Sequence, residues 1–317
     1  MAEGSSTMSS ERARPFYLIR RLRDPAEIEH LLAPKRTYAA YALAQLEPPL
    51  FRRSESWLAE GEGGIALVMH SRGGLGRALL TLGDEVGLNA LLSTHPGPAY
   101  AFATFEIEHL PVMRRFFHVS HSQPMLRLVV DRESFRQAPP LAPKVTNTVS
   151  LRALSGEDVP EINRLSKSES GWVQYRAHQI DDGVYFGIYQ DGDLVAMAGT
   201  HAISTSHRIA VVGNVFTHPR RRNHHYALQA TGAVTDALLR TCSEVVLTVD
   251  PKNEPAVRAY TRLGYREDCR LIEGMVSRRD LLGLASLLRR LLALWRGRPY
   301  GRERVASAAT RWDCELY

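Results

Sequence analysis

The chain lacks several features that would assign a class at once. It has only three cysteines among 317 residues, Cys242, Cys269 and Cys314, far apart and without Cys-x-x-Cys or Cys/His ligand spacing. That leaves no basis for a disulfide framework or a zinc site, so no metal is expected and a reducing cytoplasm is. No stretch reaches the ~20 uninterrupted apolar residues of a membrane-spanning helix. The opening MAEGSSTMSSERAR has no apolar core for a secretory signal, so a soluble chain is expected. Acidic excess is also missing: the formal net charge is +6 and the pI near 9.3. Such a balance favours acidic partners (phosphates, nucleic acid or an anionic membrane surface) without choosing among them.

The length exceeds what one typical core supports, and two domains are expected. Residues 1–14 read as a disordered lead-in. Residues 15–135 alternate helical pattern (AEIEHLLAP, RTYAAYALAQLE, VGLNALLSTH, HLPVMRRFF) with strand pattern (GGIALVMHS, RALLTLG, AYAFATF, MLRLVVD), which makes an α/β domain. Residues 136–148 contain Pro139, Pro140 and Pro143 and serve as the linker. From 149 to 277 comes a strand, a helix capped by Ser155, and two strands joined at Asp191-Gly192. A strand RIAVVGNVFT, a helix over about 224–242 and a strand SEVVLTVD follow. The last three form a βαβ unit, so its strands should be parallel. NEPAVRAYTRLG is a further helix, with Asn253 as cap, Pro255 in its first turn and Gly264 at its end, before a last strand near CRLIEGMVS. The fold class is α/β with a mixed sheet.

Within the βαβ unit, HPRRRNHHYALQA crowds three arginines and two histidines into the turn from strand to helix. A helix N-terminus offers backbone N–H groups and a positive dipole end, and arginines there add forked hydrogen bonds to phosphate. A merely solvated turn is the plain alternative. A nucleic-acid patch has weaker support, because the run is short and set in a folded context.

Val215-Phe216-Thr217-His218-Pro219, Arg222 and Ala227, followed by Asn253, Ala256, Tyr260, Leu263, Gly264 and Tyr265, resemble the GNAT superfamily of acyl-CoA N-acyltransferases. The resemblance is nearest to the branch containing the C-terminal domain of glycine N-acyltransferases, and it spans about Val149 to Val276. It implies a GNAT fold, an acyl-CoA co-substrate and an amine acceptor, either a small molecule or a peptide. It implies a phosphate loop Arg-x-x-Gly-x-Gly/Ala on Arg222, Asn223, His224, His225, Tyr226 and Ala227. It places the pantetheine arm along Val215, Phe216 and Thr217, a cofactor contact at Asn253 and a thiolate-protonating tyrosine at Tyr260. Asn253 as a cap and Tyr260 as a core aromatic are the structural alternatives. His225 stands where the family keeps glycine, and Asn223 where glycine is frequent. Asn and His are among the residues best able to take a left-handed conformation, so the loop's shape is expected to survive. The strand glutamate that serves many members as base is absent. Asn214 stands on that strand instead, and His201, Asp250 or a water chain is left as the base, none of them assigned.

The first block has no phosphate motif. Gly73-Gly74-Leu75-Gly76 reads as a hairpin turn, and the block is compatible with a degenerate copy of the same fold that shapes the acceptor pocket. Residues 278–317 form a basic amphipathic tail, read as packing on its own protein or a second copy, a homodimer, in preference to an anionic membrane. The expected function is transfer of an acetyl or other short acyl group from acyl-CoA to an amine, by direct attack in a ternary complex. Two rivals stay open: an acyl-CoA-binding or regulatory module without turnover, and a peripheral membrane or nucleic-acid binder working through the tail.

Overall fold

Each half of the chain lays down one succession of elements. The first runs β1 (Phe16–Leu22), α1 (Pro25–Leu32), α2 (Ala40–Ala44), α3 (Pro48–Phe51), β2 (Ser54–Gly61), β3 (Gly64–Ser71), β4 (Ala78–Gly83), α4 (Glu85–Thr94), β5 (Tyr100–Phe105), α5 (Leu110–Phe116), β6 (Phe117–Val119) and β7 (Met125–Asp131). The second runs β8 (Val149–Ala153), α6 (Val159–Ser166), α7 (Ala177–Asp181), β9 (Phe186–Gln190), β10 (Asp193–Ser204), β11 (Ile209–Thr217), α8 (Tyr226–Leu238), β12 (Glu244–Val249), α9 (Glu254–Arg262) and β13 (Arg266–Arg278). The computed structural model describes residues 16–72, 77–140, 148–168 and 174–280, helical positions 284, 287, 288 and 291, and the backbone of 302–304. The lead-in, the Gly73–Gly76 turn, the linker residues 141–147 and nearly all of the tail lie outside the described residues.

Local chemistry accounts for most boundaries. Asp24 accepts from the Ala26 N–H and Pro25 opens α1. Asp191 (φ 53°) and Gly192 (φ 91°) are both left-handed, as a two-residue hairpin turn between β9 and β10 requires. Gly264 (φ 92°) ends α9 where a Cβ would collide with the Ser134 carbonyl. The expected helix over 36–47 shrinks to Ala40–Ala44, because Pro48 starts a new turn and disfavours helix before it. The expected helix over 224–242 begins only at Tyr226, since His225 is left-handed (φ 61°), and ends at Leu238. β1 and β2 were not expected, because FYLIRRL and SESWLAEG carry charges within the strand. Arg20 pairs there with Glu60 across the two strands.

The strands join in one mixed sheet, ordered β1-β2-β3-β4-β5-β13-β7-β12-β11-β10-β9-β8, with residues 302–304 pairing on β1. The final strands of the two halves are exchanged. β7 pairs with β12 and β13, and β13 pairs with β5, all antiparallel. β4 and β5 are parallel, as are β11 and β12. One core joins the halves, with Leu58, Leu67 and Met69 buried alongside Val211, Val246 and Leu271. Each such side chain contributes about 1.5–3 kcal/mol by leaving water. A second core lies under α8 and α9 and includes Tyr226, Val234, Leu247, Tyr260 and Leu263. No described helix is long and apolar enough to cross a membrane.

Candidate active site

β11 and β12 pair in parallel only from Ile209↔Glu244 to Val212↔Leu247. Past Val212, β11 bulges: Asn214 takes φ 52° and the register with β10 shifts between Gly213 and Phe216. Residues 215–217 stay near β10 while β12 follows β7. The two parallel strands therefore part, and the β12-facing edge of Val215, Phe216 and Thr217 has no strand partner among the described residues. Two side chains beyond the last pair, Thr217 and Thr248, have buried hydroxyls with no hydrogen-bond partner among the described residues. A buried hydroxyl left unpaired costs about 1–3 kcal/mol. Val215 packs on the core under α8, and Phe216 meets the Tyr175 ring edge-on at 6.5 Å.

The turn after β11 carries the arginines. Pro219–Arg221 forms one 3-10 turn, Arg222 is extended (φ −70°, ψ 165°), and Asn223 (φ 66°) and His225 (φ 61°) are left-handed. The positions where glycine was expected thus adopt a glycine-like backbone with Asn and His in place. His225 is the N-cap of α8, yet its side chain makes no capping hydrogen bond. The first-turn N–H groups of a helix have no intrahelical acceptor, and here they open beside exposed Arg220, Arg221 and Arg222. His224 stacks obliquely on Tyr226 at 5.5 Å. The Tyr226 ring is buried and its hydroxyl bonds to Gln190 Oε1 at 3.1 Å, so only its backbone is available to a ligand. Ala227 follows in the first turn.

The second motif lies on α9. Asn253 caps that helix, its Oδ1 accepting from the Ala256 N–H at 3.3 Å. Tyr260 packs in the core with Tyr226, Leu263 and Tyr265, its ring edge-on to Tyr265 at 6.1 Å. Burial pushes the Tyr260 hydroxyl up to about 12, so it keeps its proton across the physiological range.

On the other side of β11 a cavity of about 340 Å³ lies between the halves. Its walls include Tyr41, Leu79 and Phe102 from the first half and Tyr185, His201 and Asn214 from the second. A hydrogen-bonded chain crosses the wall. Asn214 Oδ1 accepts from Tyr175 (2.8 Å) and faces His201 Nε2 (3.1 Å), and its Nδ2 donates to Tyr185 (3.0 Å). Because that oxygen can only accept, His201 carries its proton on Nε2 and takes the Tyr41 hydroxyl at Nδ1 (2.8 Å). Gly213 makes room for this ring: a Cβ there would collide with it. Burial, opposed in part by Asn214 and Glu273, holds His201 below its ordinary value, so the ring is neutral at pH 7. Both its nitrogens are engaged, so it has no lone pair to offer a substrate directly. Asp250 is turned elsewhere, accepting the Lys252 N–H at 2.8 Å. The tyrosines of this network escaped the sequence reading. The signal was a Gly-Asn pair interrupting β11, which marks a bulge.

Residues 152–265 match the acetyltransferase (GNAT) family. A Drosophila protein of known structure aligns with a TM-score of 0.55 at 14% identity, covering 82% of this chain and 98% of that one. A GCN5-related N-acetyltransferase from Sphaerobacter thermophilus gives 0.55 at 15%, covering 83% and 95%. One from Kribbella flavida gives 0.50 at 17%, covering 68% and 87%. No curated protein matches significantly. At such identities the solved structures speak for the fold, and the first two extend that likeness well beyond the second half. Parted parallel strands, the N-terminus of α8 and the stretch that matches the GNAT family model coincide in one place, and the mixed sheet is of GNAT type.

Proposed function

We propose that the protein moves an acetyl or other short acyl group from acyl-CoA to an amine by direct attack in a ternary complex. The observation that carries this is the unpaired edge of β11 running into an uncapped helix N-terminus. The backbone of Val215, Phe216 and Thr217 pairs with the pantetheine amides, as a neighbouring strand would. Backbone N–H groups from Arg222, Asn223, His224, His225, Tyr226 and Ala227, with the nearby guanidinium groups, hold the pyrophosphate. Asn253 fixes the helix that presents Tyr260. The amine nitrogen bonds to the thioester carbonyl carbon, the C–S bond breaks, and Tyr260 gives its proton to the departing thiolate. The proton lost by the amine passes to the Tyr41 oxygen as Tyr41 hands its own to His201 Nδ1. A β11 backbone N–H steadies the developing oxyanion.

In this reading residues 149–277 are the transferase domain, and 15–135 a copy of the fold that no longer binds CoA, joined by 136–148. The tail, 278–317, packs on this chain or on a second copy. Kinship with the glycine N-acyltransferase branch rests on the motif residues and carries no glycine acceptor with it. A cytoplasmic setting is part of the same proposal. One observation favours a second reading, an acyl-CoA-binding module without turnover: both His201 nitrogens are engaged and β11 has no carboxylate. Calorimetry with acetyl-CoA, followed by thiol release over a panel of amines, separates them. Absence of binding at about millimolar acetyl-CoA sinks both readings, and binding without turnover on any amine selects the second.

A further inference from the structure

The cavity between the halves is more informative than its position alone. It abuts the strand assigned to the thioester, since Asn214 on its wall directly precedes Val215. Its volume of about 340 Å³ is at the small end for organic ligands. The inner wall is apolar where Ala44, Met69, Leu79, Leu80 and Ile203 line it. Two polar residues in that wall, Gln45 and Ser71, are at least nine-tenths buried, and Gln45 Oε1 and Ser71 Oγ have no hydrogen-bond partner among the described residues. Hydrogen-bonding capacity is therefore left unspent beside an empty apolar volume.

Charge is distributed just as unevenly. Among the described lining residues the only formally charged side chains are Arg77 and Asp182, and both are exposed at the rim. The buried carboxylate of Glu273, bonded to the lining residue Thr104, is already neutralised by Arg127 at 2.7 Å. An ammonium that left Asp182 at the rim for the inner wall would lose its water and meet no free counter-charge there, which is strongly unfavourable. The carboxylate of an amino acid would find no buried cation in the wall either. A neutral nitrogen meets neither obstacle, and it is the protonation state that attacks a thioester.

Resting on the acyltransferase reading above, we infer that this cavity is the acceptor site and that its substrate is a small, weakly basic amine with an apolar body, of the aromatic-amine class. The amine enters neutral, its ring lies against Leu79 and Met69, and its N–H donors reach the polar wall. Aliphatic ammonium ions, free amino acids and peptide lysines are poor acceptors.

The test uses the full chain with acetyl-CoA and four acceptors: 4-methoxyaniline, phenethylamine, glycine and a lysine peptide. The expected kcat/KM at neutral pH is on the order of tenfold or more higher for 4-methoxyaniline than for the others. In parallel, calorimetry reads 4-methoxyaniline and acetyl-CoA binding in wild type and in two cavity-filling variants from opposite halves, Ala44→Phe and Ile203→Trp. The second serves where the first does not fold. Loss of 4-methoxyaniline binding with acetyl-CoA binding intact supports the site. Amine binding abolished by the filling variants but never followed by thiol release upholds the site and removes the acyltransferase reading. Acylation of 4-methoxyaniline with unchanged KM in a folded filling variant overturns the site and leaves acyl transfer standing. A preference for phenethylamine, glycine or the peptide overturns the substrate class, as does absence of any 4-methoxyaniline binding.

Discussion

The β4–α4 and β11–α8 junctions occupy the same place in the two halves, each turning from a parallel strand into the crossover helix, and they are built to opposite ends. In the first half a single residue, Asp84, bridges strand and helix. Its Oδ1 accepts from the Gly87 N–H at 2.7 Å and from Tyr17 at 2.6 Å. Glu85, Glu106 and Glu108 surround the cleft beside it. The strands part here too, after Leu80↔Thr104, but the gap is filled. Tyr38 donates to the Thr81 carbonyl at 2.5 Å, and His109, taking the Thr81 hydroxyl at Nδ1, donates from Nε2 to the Gly83 carbonyl at 2.8 Å. In the second half the turn is longer and basic, the His225 side chain makes no capping hydrogen bond, and the Thr217 and Thr248 hydroxyls are unpaired among the described residues. The difference teaches that a helix N-terminus can serve an anion only where its own side chains leave its N–H groups open, as Asp84 does not.

Carrying the first half's solution into the second should give the largest effect. His225→Asp places a carboxylate at the α8 N-cap, and acetyl-CoA binding should weaken about 100-fold, or ~2.7 kcal/mol, by calorimetry. A change within about threefold would remove the cradle assignment. Tyr260→Phe should lower kcat by roughly 10–100-fold with acetyl-CoA affinity preserved. Lost affinity at a preserved rate would assign the ring a packing role alone. The converse change in the first half, Asp84→Ala, should cost about 1–2 kcal/mol in urea unfolding and leave acetyl-CoA affinity untouched. If affinity follows Asp84 as well, the two junctions are not independent.

The smallest effect is on pH. His201 is faced by Tyr41 and Asn214 and feels Glu273 and Arg127, and burial outweighs these to hold it below the ordinary histidine value. Between that lowered value and about 6.5 the unfolded chain binds more protons than the folded one. The stability tied to the neutral ring is therefore complete above about 6.5 and is lost as pH falls toward the folded value. Urea midpoints at about pH 7.5 and pH 5.5 should differ less in His201→Gln than in wild type. Equal differences would locate the acid sensitivity elsewhere, with His70, also lowered by burial, the next group to replace.

Much of the second half was legible because its signals are local. Asp191-Gly192 permits one kind of hairpin, Asn253 with Pro255 caps a helix, and an apolar strand followed by helix and strand forms a parallel pair. β1 and β2 were not legible, because their charged residues pair across the strands, Arg20 with Glu60 and Arg21 with Glu55, and erase the alternation a single strand would show. Tyr41 and His201 lie 160 residues apart and meet only through the packing of the halves, which no spacing rule registers.

By itself, then, the amino-acid sequence determined where a basic, left-handed turn can lead into a helix, since backbone preference, capping and helix dipole are properties of neighbouring residues. The tertiary structure alone decided which parallel pair stays open, because Tyr38 and His109 reach their gap from other elements. It also decided the character of the cavity, because keeping formal charge off the inner wall takes residues from both halves. Desolvation is a property of the assembled volume and has no signature along the chain.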